Sequence, residues 1–160
     1  SRRQRQMCIR DRKEGDKAPN FNGVDQNGDS ISLDDFKNKK LILYFYPKDD
    51  TPGCTKEACN LRDNYNELKA SGFEVVGVSA DTSSKHVKFI EKYDLPFSLI
   101  ADTEKEVINA FGCWGPKKFM GKEYDGILRK TFVIENGAIA KVFEKVKTTA
   151  HFEQIMEALN

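Results

Sequence analysis

Two cysteines five residues apart, Cys54 and Cys59, are the side chains of this sequence best placed to do chemistry. They lie in the stretch PKDDTPGCTKEAC, residues 47–59. Cys54 follows an apolar run, a loop and the pair Pro52-Gly53, which places it in the first turn of a helix. Helix N-termini present unpaired N–H groups and a partial positive charge, and both favour thiolate over thiol. A thiolate there is a nucleophile, suited to displacement or redox chemistry. A lone cysteine would more often only pack inward on an apolar stripe, but the Thr-Pro-Gly lead-in and the second cysteine favour the chemical reading.

Cys59 bears on that choice through geometry. A five-residue helical step rises ~7.5 Å and turns ~140°, so the two Cα atoms stand roughly 8–9 Å apart on different faces. A disulfide needs Cα atoms within ~7 Å. The pair can be two thiols in an intact helix or a disulfide in an unwound one, which is the geometry of a redox cycle coupled to local unfolding. The alternative is that Cys59 is an unrelated residue on the helix flank. Cys113, between Gly112 and Trp114, reads as a small buried apolar residue. His86 and His151 fall in separate helical segments without zinc-like Cys/His spacing and are expected at the surface. Lys48 and Lys56 read as a solvated face.

Such a cysteine needs a strand that ends beneath it and a helix that starts at it. Residues 41–46 (LILYFY) are apolar without alternation, which predicts a central strand covered on both faces. Pro47 ends that strand. A helix is predicted over 53–69, with Cys54, Ala58, Leu61, Tyr65 and Leu68 on one face. Strands follow at 73–79 and 97–100, separated by a helix that starts at 81–84 and runs to Tyr93 with Val87 and Ile90 on one face. Asp102 is expected to cap a helix running to Phe111, stopped by Gly112. Residues 127–134 and 138–143 are predicted strands around Asn136-Gly137. Asn27-Gly28 marks a tight hairpin near the N-terminus, and 33–36 reads as a helical turn. A last helix covers about 149–159, with Phe152, Ile155 and Leu159 inward. This order predicts one α/β domain, a three-layer α/β/α fold with a mixed central sheet and an N-terminal β-hairpin. Open α/β sheets place their sites at the carboxyl ends of central strands, where Cys54 falls.

Charge separates the chain into two parts. The whole carries +1, from 26 basic and 25 acidic residues. Residues 1–12 (SRRQRQMCIRDR) hold five arginines and one aspartate, so they carry +4 and the remainder −3. The short apolar stretch in this tail falls below the ~7–15 residues of a signal-peptide core. It reads as a foreign or disordered basic extension of a domain spanning 13–160, with a nucleic-acid-binding arm as the alternative. Cys8 is set aside with it. A mildly acidic remainder gives no expectation of nucleic acid, and the longest apolar run is far below the ~20 residues that cross a bilayer. An odd count of three remaining cysteines points to a reducing, cytoplasmic setting.

The motif then becomes specific. TPGCTKEAC, with the wider P-x-x-x-T-x-x-C pattern of Pro47, Thr51 and Cys54, resembles the peroxiredoxins, and within them the bacterioferritin comigratory protein or peroxiredoxin Q subfamily. The likeness extends to GDKAPNF at 15–21, LILYFYPKDDTPGCT at 41–55 and the FG-x-WG and FMGKEYDGILR segments within 111–129. The resemblance implies a thioredoxin-like fold and a thiol peroxidase acting on hydrogen peroxide and organic hydroperoxides. It implies that Cys54 is the peroxidatic cysteine and Cys59 the resolving cysteine of an intramolecular disulfide. It also implies that Thr51 and Arg129 orient and stabilise the thiolate and the peroxide, with Pro47, Pro52 and Gly53 in support. From the residues alone, Arg129 would be an exposed strand residue. Tyr124 and Trp114 are implied as walls of the site without a catalytic role. The resemblance further implies recycling by thioredoxin or a similar dithiol, a monomer, and no metal, haem or flavin. Three other functions are weighed against it. A non-enzymatic redox sensor would use the same Cys54–Cys59 switch and need a partner surface. A general thiol–disulfide oxidoreductase usually carries a C-x-x-C pair, and a metal-binding module needs clustered ligands.

Overall fold

The computed structural model describes residues 12–159. Nine strands are described: β1 (Asn22–Val24), β2 (Ser30–Ser32), β3 (Lys40–Phe45), β4 (Phe73–Ser79), β5 (Ser98–Ala101), β6 (Trp114–Phe119), β7 (Lys122–Ile127), β8 (Lys130–Glu135) and β9 (Ala138–Phe143). The helices are α1 (Pro52–Asp63), α2 (Tyr65–Ala70), α3 (Ser83–Tyr93), α4 (Glu106–Ala110) and α5 (His151–Leu159), with a 3-10 turn at Leu33–Phe36. The central sheet has the order β5-β4-β3-β8-β9. β3 and β5 run parallel to β4, while β8 is antiparallel to β3 and β9. Helices lie on both faces, giving the expected α/β/α layering around a mixed sheet.

The middle strand shows why. Residues 41–46 are completely buried. Leu41, Leu43 and Phe45 join one core with Val76, Ile100, Phe111 and Phe132. Ile42, Tyr44 and Tyr46 join the other with Cys54, Ala58, Leu61, Phe89 and Ile155. A strand covered on both faces has no polar side to show, so its pattern cannot alternate. Tyr44 faces Gly77 on β4. A Cβ at Gly77 would stand 2.7 Å from Leu99 Cδ2 and 2.9 Å from Tyr44 Cζ, so the strand tolerates only glycine there.

Several elements depart from expectation for local reasons. The helix predicted over 53–69 breaks at Asn64 (φ −113°, ψ 14°), whose side-chain amide donates to the Asn60 carbonyl at 2.8 Å. Such a bond competes with helix continuation. The strand predicted over 127–134 is two strands in different sheets, joined by Leu128 and Arg129. Its first part pairs with β6 in a hairpin that the sequence reading missed, turned by Met120 (φ 52°) and Gly121 (φ 80°). The N-terminal hairpin is present, but its turn is a five-residue loop in which Asp25 Oδ1 accepts from the amides of Asn27 and Asp29. Asp102 accepts from the amides of Val107 and Ile108, yet regular helix begins only at Glu106. On α3 the buried residues are His86 and Phe89, with Ile90 packed partly against the same core.

His86 and His151, expected at the surface, are both 0% exposed. Each engages both ring nitrogens in hydrogen bonds, which is what permits a polar ring in a core. Of the basic tail, Arg12 alone falls in the described range, and its Nε donates to the Ala110 carbonyl at 2.9 Å. The reading of residues 1–11 lies outside the described residues. Among the described residues no helix is long and apolar enough to cross a membrane.

Asn60 ties α1 to α5. Its Oδ1 accepts from the Phe152 amide at 2.7 Å and its Nδ2 donates to the Thr149 carbonyl at 3.3 Å. A side chain of one helix thus supplies the N-terminal cap of another.

Candidate active site

The site grows from the junction between β3 and α1. Thr51 is the N-cap of α1 with extended backbone (φ −95°, ψ 157°), and Pro52 takes the first helical position, where no N–H is needed. The Thr51 carbonyl accepts the first helical bond, from Thr55 N at 2.8 Å. The Thr51 hydroxyl donates to the Lys48 carbonyl at 2.9 Å. With its one proton committed, the Thr51 oxygen has only lone pairs to offer a ligand. Cys54 follows three residues later, 1% exposed.

Arg129 reaches this sulfur from the joint between β7 and β8. Its Nη2 donates to Cys54 Sγ at 3.1 Å and its Nη1 to Glu57 Oε1 at 2.7 Å. The guanidinium therefore lies along the first turn of α1. Gly53 leaves room for it, since a Cβ there would stand 3.3 Å from Nη2. The bland reading of Arg129 as an exposed strand residue fails, because the side chain is 21% exposed and its fork is occupied. Burial opposes its charge, but the Cys54 sulfur and the Glu57 carboxylate outweigh burial and raise its pKa.

Glu57 is completely buried. Burial pushes its pKa up to about 7, although Arg129 opposes that through charge and hydrogen bond. A close ion pair and a raised pKa are compatible here because only one carboxylate oxygen is bonded. Oε2 has no hydrogen-bond partner among the described residues and lies 3.6 Å from His151 Nε2. His151 Nδ1 faces Gln154 Oε1 at 3.0 Å, and Gln154 Nε2 in turn donates to the Lys145 carbonyl, which fixes the amide orientation. Nδ1 therefore carries the proton and Nε2 accepts from the Thr131 hydroxyl at 2.8 Å. Burial lowers the His151 pKa to about 4, with the Gln154 bond opposing and the Arg129 charge adding.

These two groups tie stability to pH in opposite senses. Glu57 rises from 4.5 to about 7, so between those values the folded chain keeps a proton that the unfolded chain releases. Its contribution to stability declines as pH rises through that window. His151 falls from 6.5 to about 4, so its contribution declines as pH drops from 6.5 toward 4. Between pH 4.5 and 6.5 the two slopes oppose each other. Glu57→Gln leaves His151 alone, so its Tm relative to wild type is expected to fall on acidification from pH 6.5 to 4.5. Thermal melts at the two pH values check this. An unchanged difference between variant and wild type contradicts it.

Cys59 lies in the same unbroken helix as Cys54, half-buried, and both are free thiols. Cys113 is buried as expected, and burial pushes its thiol up. Lys48 and Lys56 are exposed as expected. Pro52 is exposed, while Pro47 and Gly53 are half-buried. Trp114 packs on the core of the opposite sheet face, beneath Lys105, and Tyr124 is 48% exposed on β7.

The sequence reading missed three charged or polar neighbours. Glu57 lies three residues after Cys54 on a face of α1 otherwise apolar, and a charge on such a stripe was the available signal. His151 depends on a contact with a distant helix. Lys117 depends on the unexpected hairpin: half-buried, its Nζ donates to the Ile127 carbonyl at 2.8 Å. Burial lowers its pKa, the Arg129 charge adds to that, and the Cys54 charge opposes it. Two cations thus lie within electrostatic reach of one buried sulfur at a helix N-terminus, an arrangement that supports nucleophilic sulfur and a developing negative charge beside it.

Known proteins resemble this chain along most of its length. The AhpC/TSA family model matches residues 14–142. The chain is 47% identical over 148 residues to the peroxiredoxin Bcp of Escherichia coli K12, covering 92% of this chain and 95% of that protein. It is 44% identical over 146 residues to the peroxiredoxin Bcp of Bacillus subtilis 168, covering 91% and 93%. Among solved structures, it is similar to the peroxidoxin BcpB of Mycobacterium tuberculosis, with TM-score 0.81, 32% identity, and 92% and 96% of the two chains covered. It is also similar to the bacterioferritin comigratory protein of Xanthomonas campestris, solved in connection with alkyl peroxide reduction (TM-score 0.81, 31% identity, 87% and 89% covered).

Proposed function

Because the chain belongs to the AhpC/TSA family and is a peroxiredoxin of the Bcp kind, we propose a two-cysteine thiol peroxidase cycle run by Cys54 and Cys59. The Cys54 thiolate attacks one oxygen of a hydroperoxide. The O–O bond breaks, Cys54 becomes a sulfenic acid, and the leaving oxygen takes a proton to give water or an alcohol. Arg129 holds the sulfur and offers positive charge to the leaving oxygen. Thr51, its proton committed to Lys48, accepts from the peroxide O–H. Pro47 and Pro52 frame the loop, and Gly53 makes space for the guanidinium.

Cys59 then attacks the sulfenic sulfur, forming a disulfide and releasing water. An external dithiol, thioredoxin or a similar protein, reduces the disulfide and restores both thiols. Because α1 is intact across both cysteines, the second step requires its first turns to unwind. The cycle uses side chains and the external dithiol alone, with no metal, haem or flavin, and the protein acts as a monomer in a reducing cytoplasm, in antioxidant defence.

The observation that carries this reading is the 3.1 Å contact from Arg129 Nη2 to Cys54 Sγ at a helix start. Stopped-flow peroxide consumption with and without thioredoxin tests it. Wild type is expected to turn over only when a dithiol is present. Cys59→Ser is expected to consume about one equivalent of peroxide and stop, with sulfenic acid accumulating. Mass mapping of the oxidised wild type should find Cys54 joined to Cys59, and a bond to Cys113 would overturn the assignment of Cys59.

A further inference from the structure

The loop between Pro47 and Pro52 is held from outside the site by a buried polar network. Asp49 N donates to Asp81 Oδ2 at 2.8 Å, and Asp49 Oδ1 accepts from the Tyr46 hydroxyl at 2.5 Å. Asp49 Oδ2 lies 2.6 Å from His86 Nδ1, while His86 Nε2 lies 2.9 Å from the Ile100 carbonyl. A carbonyl only accepts, so Nε2 carries a proton and a second proton lies between Nδ1 and Oδ2. Whichever partner holds that second proton, the pair is neutral overall. Ser79 Oγ donates to Asp81 Oδ2 at 2.7 Å, which completes the network. Asp49, Asp81 and His86 offer ligand atoms within 4.8 Å of one another. Those atoms are already engaged by protons and amides, so the cluster is a hydrogen-bonded clamp, not a cation site.

The next two loop residues are tied as well. Asp50 has a left-handed backbone (φ 59°) that disfavours most residues. Its carboxylate accepts from Lys92 Nζ and the Tyr93 hydroxyl, both at 2.8 Å. Thr51 follows, its hydroxyl bonded back to Lys48. Each loop residue from 48 to 51 is therefore fixed by a side-chain bond, and α3 supplies three of the partners.

A buried His–Asp pair is an inefficient way to add stability, since apolar residues of similar volume do as well or better. It is an efficient way to fix geometry, because hydrogen bonds are directional. We propose that Asp49, clamped by His86, is a positioning residue for Thr51, holding the loop that aims the Thr51 oxygen at the peroxide in front of Cys54. This rests on the peroxidase reading above and extends it to residues that touch neither sulfur nor substrate. Misplacement of a reacting group by about 1 Å costs up to ~100-fold in rate.

The test is a double-mutant cycle on the second-order rate constant for hydrogen peroxide with the reduced protein. Thr51→Val is expected to lower it roughly 100-fold and Asp49→Ala roughly tenfold. In the Thr51→Val background, Asp49→Ala is expected to cost less than about twofold, because the group it positions is gone. Asp49→Asn should restore the rate to within about twofold of wild type. Its amide can donate to His86 Nδ1 while its oxygen still accepts from Tyr46. If Asp49→Ala does not fold, Tyr46→Phe replaces it, removing one hydroxyl from Asp49, with an expected loss of about threefold that also vanishes in the Thr51→Val background. A loss that persists undiminished beside Thr51→Val overturns the proposal, as does an Asp49→Ala protein with the wild-type rate. A wild-type protein inert to peroxide instead overturns the peroxidase reading itself, so the two failures are distinguishable.

Discussion

Cys54→Ser is expected to abolish peroxide reduction, lowering the rate by three orders of magnitude or more. A hydroxyl is a far weaker nucleophile than a thiol at neutral pH, and among the described residues no base hydrogen-bonds the Cys54 sulfur position to remove its proton. Among the described residues the one group that hydrogen-bonds the sulfur is Arg129 Nη2, a donor, which cannot act as that base. Serine also cannot form the sulfenic acid on which a Cys59 disulfide depends. The fold should survive, because the Arg129–Glu57 pair does not involve sulfur and the change removes little volume. Peroxide consumption measured beside circular dichroism separates chemistry from folding. A folded Cys54→Ser protein with full peroxidase activity would refute the central assignment.

Arg129→Met is expected to cost about 100- to 1,000-fold in the same rate, the range for removing one preorganised donor from a developing anion. The loss has two sources. The sulfur loses its cation, and the leaving oxygen loses a planar donor whose second arm is held by Glu57. Raising the pH well above the ordinary thiol range of ~8.5 ionises a thiol without help and should recover only part of the rate. Full recovery at alkaline pH would show that Arg129 acts on the sulfur alone. Methionine also leaves Glu57 buried without its cation. Since burial already pushes that carboxyl up to about 7, it is expected to stay protonated in the variant at neutral pH, so the fold need not accommodate a buried naked charge.

What could be read in the sequence was local or periodic. The run at 41–46 announced a strand buried on both faces, because six consecutive apolar residues have no solvent side. Thr51-Pro52-Gly53 announced the start of α1, because each residue suits its cap or first-turn position. The stripe of Cys54, Ala58, Leu61 and Leu68 gave the buried face. What escaped notice depends on partners far along the chain. Glu57 and Arg129 are 72 residues apart, and His86 and Asp49 are 37 apart. A polar residue becomes tolerable in a core only through such a partner, so no local pattern marks His86 or His151 as buried. The hairpin of β6 and β7 was missed because its turn, Met120-Gly121, lacks the Asn-Gly or Asp-Gly pair that signals such turns. Its consequence is chemical, since it delivers Lys117 and ends two residues before Arg129.

The Asn60 cap has a wider meaning. Asn60 is the next residue after Cys59, and its side chain secures the beginning of α5. In the proposed cycle, unwinding α1 far enough to join Cys59 to Cys54 would pull on that cap. In that cycle the oxidation state of Cys54 is felt at α5 through one side-chain cap, so the start of a helix 92 residues along the chain reports whether the sulfur is charged or spent.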